Sequence, residues 1–249
     1  DLQEASKDKD QLRLLDSACR DHGFFLLKNH GMQNEINNMW SMSEWFFAQQ
    51  REDKLKLLRS EEIPLGFYDR ELTKQKRDLK EVFDFMETRS EKDINQWPDE
   101  PLFRETMESF FKKSSEVAKE TLDLILLCLG ISKNDLIFGD SKTSNARLNF
   151  YPVDDPLSLL EKNEVNGLGD MALHHHTDPG ILTLLLQDMT GGLQAKSKEF
   201  GWIDITPEKD SIVVNLGDAM QVWTNDNYVA AIHRVSKRTS EPRYSTPFF

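Results

Sequence analysis

Cysteine is scarce in this chain. Two residues in 249, Cys19 and Cys128, lie in helix-like segments far apart in the sequence. That pattern argues against a disulfide scaffold and for buried free thiols in a reducing compartment. Long apolar runs are missing too: the longest, around 122–129, falls far short of the ~20 residues that span a bilayer. No charged stretch followed by an apolar one opens the chain, so a cytoplasmic protein is expected. Positive charge is in deficit. A formal net charge of −12 weighs against nucleic acid and anionic membranes as partners, although a local basic pocket stays compatible with it. Internal repeats and low-complexity linkers are absent, which points to a single domain over 1–249. An initiating methionine is absent as well. The chain starts at Asp1 and stops on PRYSTPFF within a strand-like run, so both ends are expected to be trimmed from a longer protein.

What is present divides into two textures. Residues 1–143 read as mostly helical. QLRLLDSACRDHG has apolar residues at Leu12, Leu14, Leu15 and Ala18 and stops at Gly23, and GFFLLKNHG follows as a short apolar strand. The aromatics of MWSMSEWFF fall at helical spacing and read as core. Residues 60–79 are charged and loop-like, and EVFDFME reads as a strand. PLFRETMESFFKKSSEVAKETLDLILLCLG keeps the 3.6-residue period throughout, with Gly130 suited to end the helix. From 144 onward, short apolar runs (ARLNFYP, MALHHH, ILTLLLQ, GLQAK, WIDI, SIVVNL, AMQVW, AAIHRVS, RYSTPFF) alternate with Pro, Gly, Asp and Asn. Many short strands at this spacing predict a sandwich or barrel, with the N-terminal helices packed around it.

Histidine is also rare, yet three of the six stand together in LHHHTDPG at 173–180. Only His176 has a carboxylate two residues on. In an extended strand, residues i and i+2 share a face, so His176 and Asp178 can grip one ion together. His233, in AAIHRVS, is the candidate third ligand. Two imidazoles and one carboxylate on one side of an octahedral ion form the facial triad of non-haem Fe(II) oxygenases. Further along, Arg243 and Ser245 are again an i, i+2 pair, able to offer a guanidinium fork and a hydroxyl to one carboxylate. Asn149 and Tyr151 share a face of their own strand.

In the order and spacing of HTDPGILTLLLQD, GGLQ, NLGD, HRV and RYS, the chain resembles the plant-type 2-oxoglutarate and Fe(II)-dependent dioxygenases, the group that includes isopenicillin N synthase. GFFLLKNHG, KRDLKEVFDF, NQWPDEPLFR and NFYP extend the resemblance across nearly the whole chain. It implies a double-stranded β-helix, a jelly roll with flanking helices. It implies iron held by His176, Asp178 and His233. Arg243 and Ser245 would bind the distal carboxylate of 2-oxoglutarate, with Asn149 and Tyr151 assisting. The implied reaction consumes O2, releases succinate and CO2, and hydroxylates, desaturates or cyclises a small molecule of specialised metabolism. Ascorbate would be a supporting reductant and the enzyme a monomer. Oxidases of the same fold that need no 2-oxoglutarate also keep an Arg-x-Ser element and stand as the alternative. A non-catalytic binding protein is a remote third, because such proteins tend to lose iron ligands and all three are kept here.

Other residues carry quieter readings. His22 and His30 fit caps or turns, and GGLQ a hairpin turn. Glu81, Asp84 and Glu87 read as solvated rather than catalytic. Phe83 and Phe85 alternate with them, and either packs the core or touches substrate. Arg147 is read as a structural ion pair, with contact to an acidic substrate as the alternative. Strand parity places His174 on the face of His176, hence at the pocket rim, and His175 on the opposite face.

Overall fold

Burial explains why the strand-like runs in the second half are so apolar. In the computed structural model, which describes residues 1–88, 94–132, 143–238 and 240–249, the large sheet is covered on both faces. The chain begins with α1 (Lys9–Asp21), whose N-terminus is capped by the Asp8 carboxylate accepting from the backbone N–H of Asp10 and Gln11. It ends beside Gly23 at φ +63°, where a Cβ would lie 2.0 Å from the Val229 carbonyl oxygen. Only glycine fits that approach. Then come β1 (Phe24–Lys28), α2 (Gln33–Phe47), α3 (Arg51–Leu55), β2 (Gly66–Tyr68), β3 (Leu72–Thr73), β4 (Lys76–Arg77) and β5 (Glu81–Met86). The stretch 60–79, expected as loop, therefore contains three short strands. α4 (Pro101–Cys128) starts with the Glu100 carboxylate as cap and proline in its first turn, and buries Phe103, Met107, Phe110, Val117 and Leu124 along one face.

The second half supplies β6 (Asn145–Tyr151), α5 (Leu159–Lys162), β7 (Leu173–His176), β8 (Leu182–Gln187), β9 (Leu193–Ser197), β10 (Gly201–Asp204), β11 (Ser211–Leu216), α6 (Asp218–Trp223), β12 (His233–Val235) and β13 (Arg243–Phe248). AMQVW, expected as a strand, lies in α6. There the chain turns back from β11 toward β12, burying Met220 and leaving Val222 and Trp223 outside.

Two sheets face each other. One runs β1-β11-β8-β13-β6-β5-β2 and the other β10-β9-β12-β7, and every ladder in them is antiparallel. Strands β6 to β13 pass between the two sheets, which is the jelly-roll arrangement expected. The first half does more than pack helices on this barrel, since β1, β5 and β2 extend its larger sheet. Alternation sorts the side chains. Leu184, Leu186, Val214 and Leu216 join the core under α2 and α4, whereas Leu185, Val213, Leu193 and Val235 pack inside the barrel. Cys19 is buried, Cys128 half-buried, and both are free thiols. Among the described residues no helix is long and apolar enough to cross a membrane.

Candidate active site

Strand pairing brings the metal-ligand candidates together. His176 closes β7 and His233 opens β12, and the two are direct cross-strand partners. Their rings stand 4.3 Å apart between centroids. Asp178, two residues beyond His176, turns its Oδ1 toward both, 3.6 Å from His176 Nε2 and 3.8 Å from His233 Nε2. One ligand atom from each of the three lies within 4.8 Å of the others.

The surroundings decide which atoms are available. His176 Nδ1 lies 2.9 Å from the His174 carbonyl and His233 Nδ1 lies 2.9 Å from the Ala231 carbonyl. A carbonyl only accepts, so in both rings the δ-nitrogen carries a proton and the ε-nitrogen is the atom turned toward the cluster. Burial, the neighbouring His233 and, less strongly, Lys80 push the His176 pKa down to about 4, against the Asp178 carboxylate. The ring is therefore neutral at pH 7, as a ligand must be. Asp178 is buried, and its Oδ2 accepts from the Thr183 hydroxyl at 2.6 Å and the Asn215 amide at 2.7 Å. Thr183 and Asn215 are themselves cross-strand partners on β8 and β11. Only Oδ1 is left for an ion. The backbone holds the same loop: the Asp218 N–H donates to the Asp178 carbonyl at 2.8 Å, and a Cβ on Gly217 would sit 2.3 Å from the Gly180 carbonyl oxygen. The run NLGD thus supports Asp178 through its first, third and fourth residues.

Next to this cluster lies a cavity of about 810 Å³, lined by His176, Asp178 and His233 and by Asn149, Tyr151, Arg243 and Ser245. The last four meet because Arg243 pairs with Tyr151, and Ser245 with Asn149, across the β13–β6 ladder. Arg243 is fully buried. Its Nε donates to the Gly191 carbonyl at 2.8 Å, its guanidinium lies 5.0 Å over the Tyr151 ring, and its Nη1 has no partner. No carboxylate among the described residues pairs with it. A buried guanidinium without a counter-ion is costly unless a ligand supplies one. Asn149 Oδ1 is also buried without a partner. The guanidinium of Arg243 fits a bound carboxylate, whereas Asn149 Oδ1 can only accept; the imidazoles with one carboxylate oxygen fit a divalent ion.

Of the remaining residues, Arg147, His175, His22 and His30 meet expectation, and others part from it. Phe83 and Phe85 are buried away from the cavity, packed against Phe46, Phe103, Trp97 and Phe111. They are core, not substrate contacts, because β5 lies inside the sheet with α4 across its face. Glu81 and Asp84 are buried rather than solvated: Glu81 meets Lys54 at 2.5 Å, and Asp84 meets Arg147 at 2.6 Å. Arg147 is an ion-pair residue and also lines the cavity. His174 does not reach the cavity rim. The register slips by one residue between β12 and β7, pairing His233 with His176 but Val235 with Leu173. This bulge breaks the two-residue parity. Leu173 takes the cavity face, and the His174 ring turns to Asp78 at 3.0 Å and Asp170 at 3.1 Å. His175 faces outward against Lys74 and Trp202. His22 caps α1, and buried His30 accepts the Met32 N–H within a turn. Nothing in the sequence singles out Thr183, Asn215, Gly217 or Lys80 individually; only the runs that contain them carry a signal.

Comparison with known proteins agrees with this geometry. Residues 143–249 match the 2OG-Fe(II) oxygenase superfamily, and residues 1–100 match the family described as non-haem dioxygenase in morphine synthesis N-terminal. The 2-oxoglutarate-Fe(II) type oxidoreductase ppzD of Metarhizium majus is 30% identical over 91% of this chain and 74% of its own length. The 1-aminocyclopropane-1-carboxylate oxidase 4 of Solanum lycopersicum is 33% identical over 96% of this chain and 73% of its own. The crystal structure of a full-length Neurospora crassa protein in complex with alpha-KG and thymine superposes with a TM-score of 0.80 at 28% identity, covering 97% of this chain and 81% of that one.

Proposed function

Because the chain belongs to the 2-oxoglutarate and Fe(II)-dependent oxygenase superfamily, we propose that His176, Asp178 and His233 hold its iron and that Arg243, Ser245, Asn149 and Tyr151 hold its 2-oxoglutarate. The protein is an oxygenase that uses Fe(II), 2-oxoglutarate and O2 on a small molecule. One observation carries the residue assignment: a buried His-Asp-His cluster with both ε-nitrogens free lies in the same cavity as a buried arginine that has no counter-ion. When bound, iron and 2-oxoglutarate supply oxidative decarboxylation, yielding succinate and CO2, coupled to oxidation of a substrate C–H bond. The chain's own part is placement. The two backbone carbonyls fix the imidazole tautomers, Thr183 and Asn215 leave Asp178 a single oxygen to offer, and Arg243 with Ser245 sets the far end of the cosubstrate. Leu173, Leu185, Leu193 and Val235 wall the site with apolar surface that excludes water.

Relatives such as the 2-oxoglutarate-Fe(II) type oxidoreductases of fungi support a role in specialised metabolism, by hydroxylation, desaturation or ring closure. The net charge of −12 supports a protein that acts apart from nucleic acid and membrane surfaces. We take residues 1–249 as one oxygenase unit, monomeric and cytoplasmic. Iron binding by anaerobic titration, together with succinate release in the presence of Fe(II), 2-oxoglutarate and ascorbate, tests the reading. His176→Ala and Asp178→Ala each lose iron binding and turnover together; either variant retaining both overturns the ligand assignment. O2 uptake that needs no 2-oxoglutarate overturns the Arg243 assignment and places the enzyme with the oxidases.

A further inference from the structure

We infer that the substrate carries an anionic group and that Lys80 receives it. The inference rests on the proposed seating of iron and 2-oxoglutarate elsewhere in the same cavity. Five charged side chains meet where β5 and β6 face the segment before β3: Arg59, Lys80 and Arg147 against Glu71 and Asp84. None is more than 25% exposed. Their contacts are unequal. Arg147 grips both oxygens of Asp84, at 2.6 and 2.8 Å, and reaches Glu71 Oε2 at 2.8 Å. Arg59 takes Glu71 Oε1 at 2.6 Å and Asp84 Oδ2 at 3.2 Å. Two arginines thus saturate two carboxylates in the geometry a guanidinium favours.

Lys80 is the charge left over. Its Nζ lies 3.3 Å from Glu71 Oε2, an oxygen already bonded to Arg147, and no other acidic partner is found among the described residues. The side chain is 4% exposed and lines the cavity. An ammonium so far from water, with one long and shared contact, lacks most of the donors' normal complement of acceptors.

The rest of the cavity does not balance it. Asp178 and Arg243 cancel, and so do Fe(II) and the dianion of 2-oxoglutarate when both are bound. Among its buried side chains the loaded cavity retains one positive charge, at Lys80. Ala118, Leu122 and Phe248 form apolar wall in the same cavity, and Lys119 adds an exposed ammonium to its lining. The complementary ligand is a monoanion, such as a carboxylate, on an apolar body. Lys80 would orient that body against the iron by its charged end.

The test uses the protein loaded with Mn(II) and saturating 2-oxoglutarate, so that binding is read without turnover. Phenylacetate, 3-phenylpropionate and octanoate are titrated calorimetrically, each beside its own primary amide. In the wild type the acids bind at least about tenfold more tightly than the amides, the scale of one hydrogen bond to a charged group. Lys80→Met erases that preference and Lys80→Arg retains it, while affinity for 2-oxoglutarate stays within about twofold in both. Acids with no advantage in the wild type, or an advantage that survives Lys80→Met, overturn the inference. If Lys80→Met does not fold, the wild-type ratio and Lys80→Arg still decide: equal binding of acid and amide, or loss of the preference in Lys80→Arg, overturns it. A wild type that binds neither Mn(II) nor 2-oxoglutarate instead defeats the cosubstrate assignment on which the inference stands.

Discussion

Asp178, as the proposed carboxylate ligand, shows how much of a metal site lies in residues that would not touch the metal. Its Oδ2 is occupied by Thr183 and Asn215, so the carboxylate can rotate toward the histidines only through Oδ1. Removing a group that orients a ligand typically lowers metal affinity by about 10–100-fold. Asn215→Ala and Thr183→Ala should fall in that range when Mn(II) or Fe(II) is titrated anaerobically, with the fold retained by circular dichroism. Phe83 presents the opposite case. It is wholly buried among Phe46, Phe103 and Trp97, so Phe83→Ala should cost about 3–5 kcal/mol of stability in urea titrations. Affinity for 2-oxoglutarate should be unchanged in the folded fraction. A selective loss of ligand affinity without a loss of stability would return Phe83 to the site.

Among elements, strands were the more legible and their irregularities the less so. His176-x-Asp178, Arg243-x-Ser245 and Asn149-x-Tyr151 could each be read from local alternation, and the ladders bring the last two pairs into register. The unbroken apolar run of β8 is explained by burial on both faces, with Leu185 facing one core and Leu184 and Leu186 the other. Alternation misled at β5, where charged residues beside phenylalanines suggested a wet face. The cations that neutralise them, Lys54, Arg59 and Arg147, come from distant segments, and one-dimensional spacing does not encode such pairings. It misled again at His174, because the bulge is set by how β7 meets β12. The turn from β11 into α6 is where an element constrains the site. Gly217→Ala places a methyl against the Gly180 and Asp178 carbonyls, and crowding of that kind costs about 1–3 kcal/mol. Metal affinity should drop with stability in this variant, since the displaced loop carries Asp178. A stable Gly217→Ala protein with wild-type metal affinity would show that the loop absorbs the methyl.

For the whole molecule, charge sets the acid limit. Burial alone pushes Glu71 upward, but Lys80, Arg147 and Arg59 together outweigh it and hold the carboxyl well below its ordinary value of 4.5. A carboxyl depressed in the folded state adds stability that is complete above its unfolded pKa and is lost as pH falls toward the folded one. Wild-type stability should therefore decline with acidification below about pH 4.5. Glu71→Gln should be less stable at pH 7 and have a flatter profile across that window, as read by urea midpoints at several pH values. Parallel profiles would mean that Glu71 is not the group responsible.

Arg243 has a consequence at the same scale. Its guanidinium is interred without a counter-ion, so folding the ligand-free chain isolates a charge that the unfolded chain keeps hydrated. Any carboxylate donor that binds only the native state repays this by mass action, adding about 2.7 kcal/mol at a hundred times its dissociation constant. The melting temperature then becomes a gauge of the surrounding metabolite pool. A cell short of 2-oxoglutarate would hold this enzyme closer to its unfolding threshold, and to proteolysis, before any substrate is met.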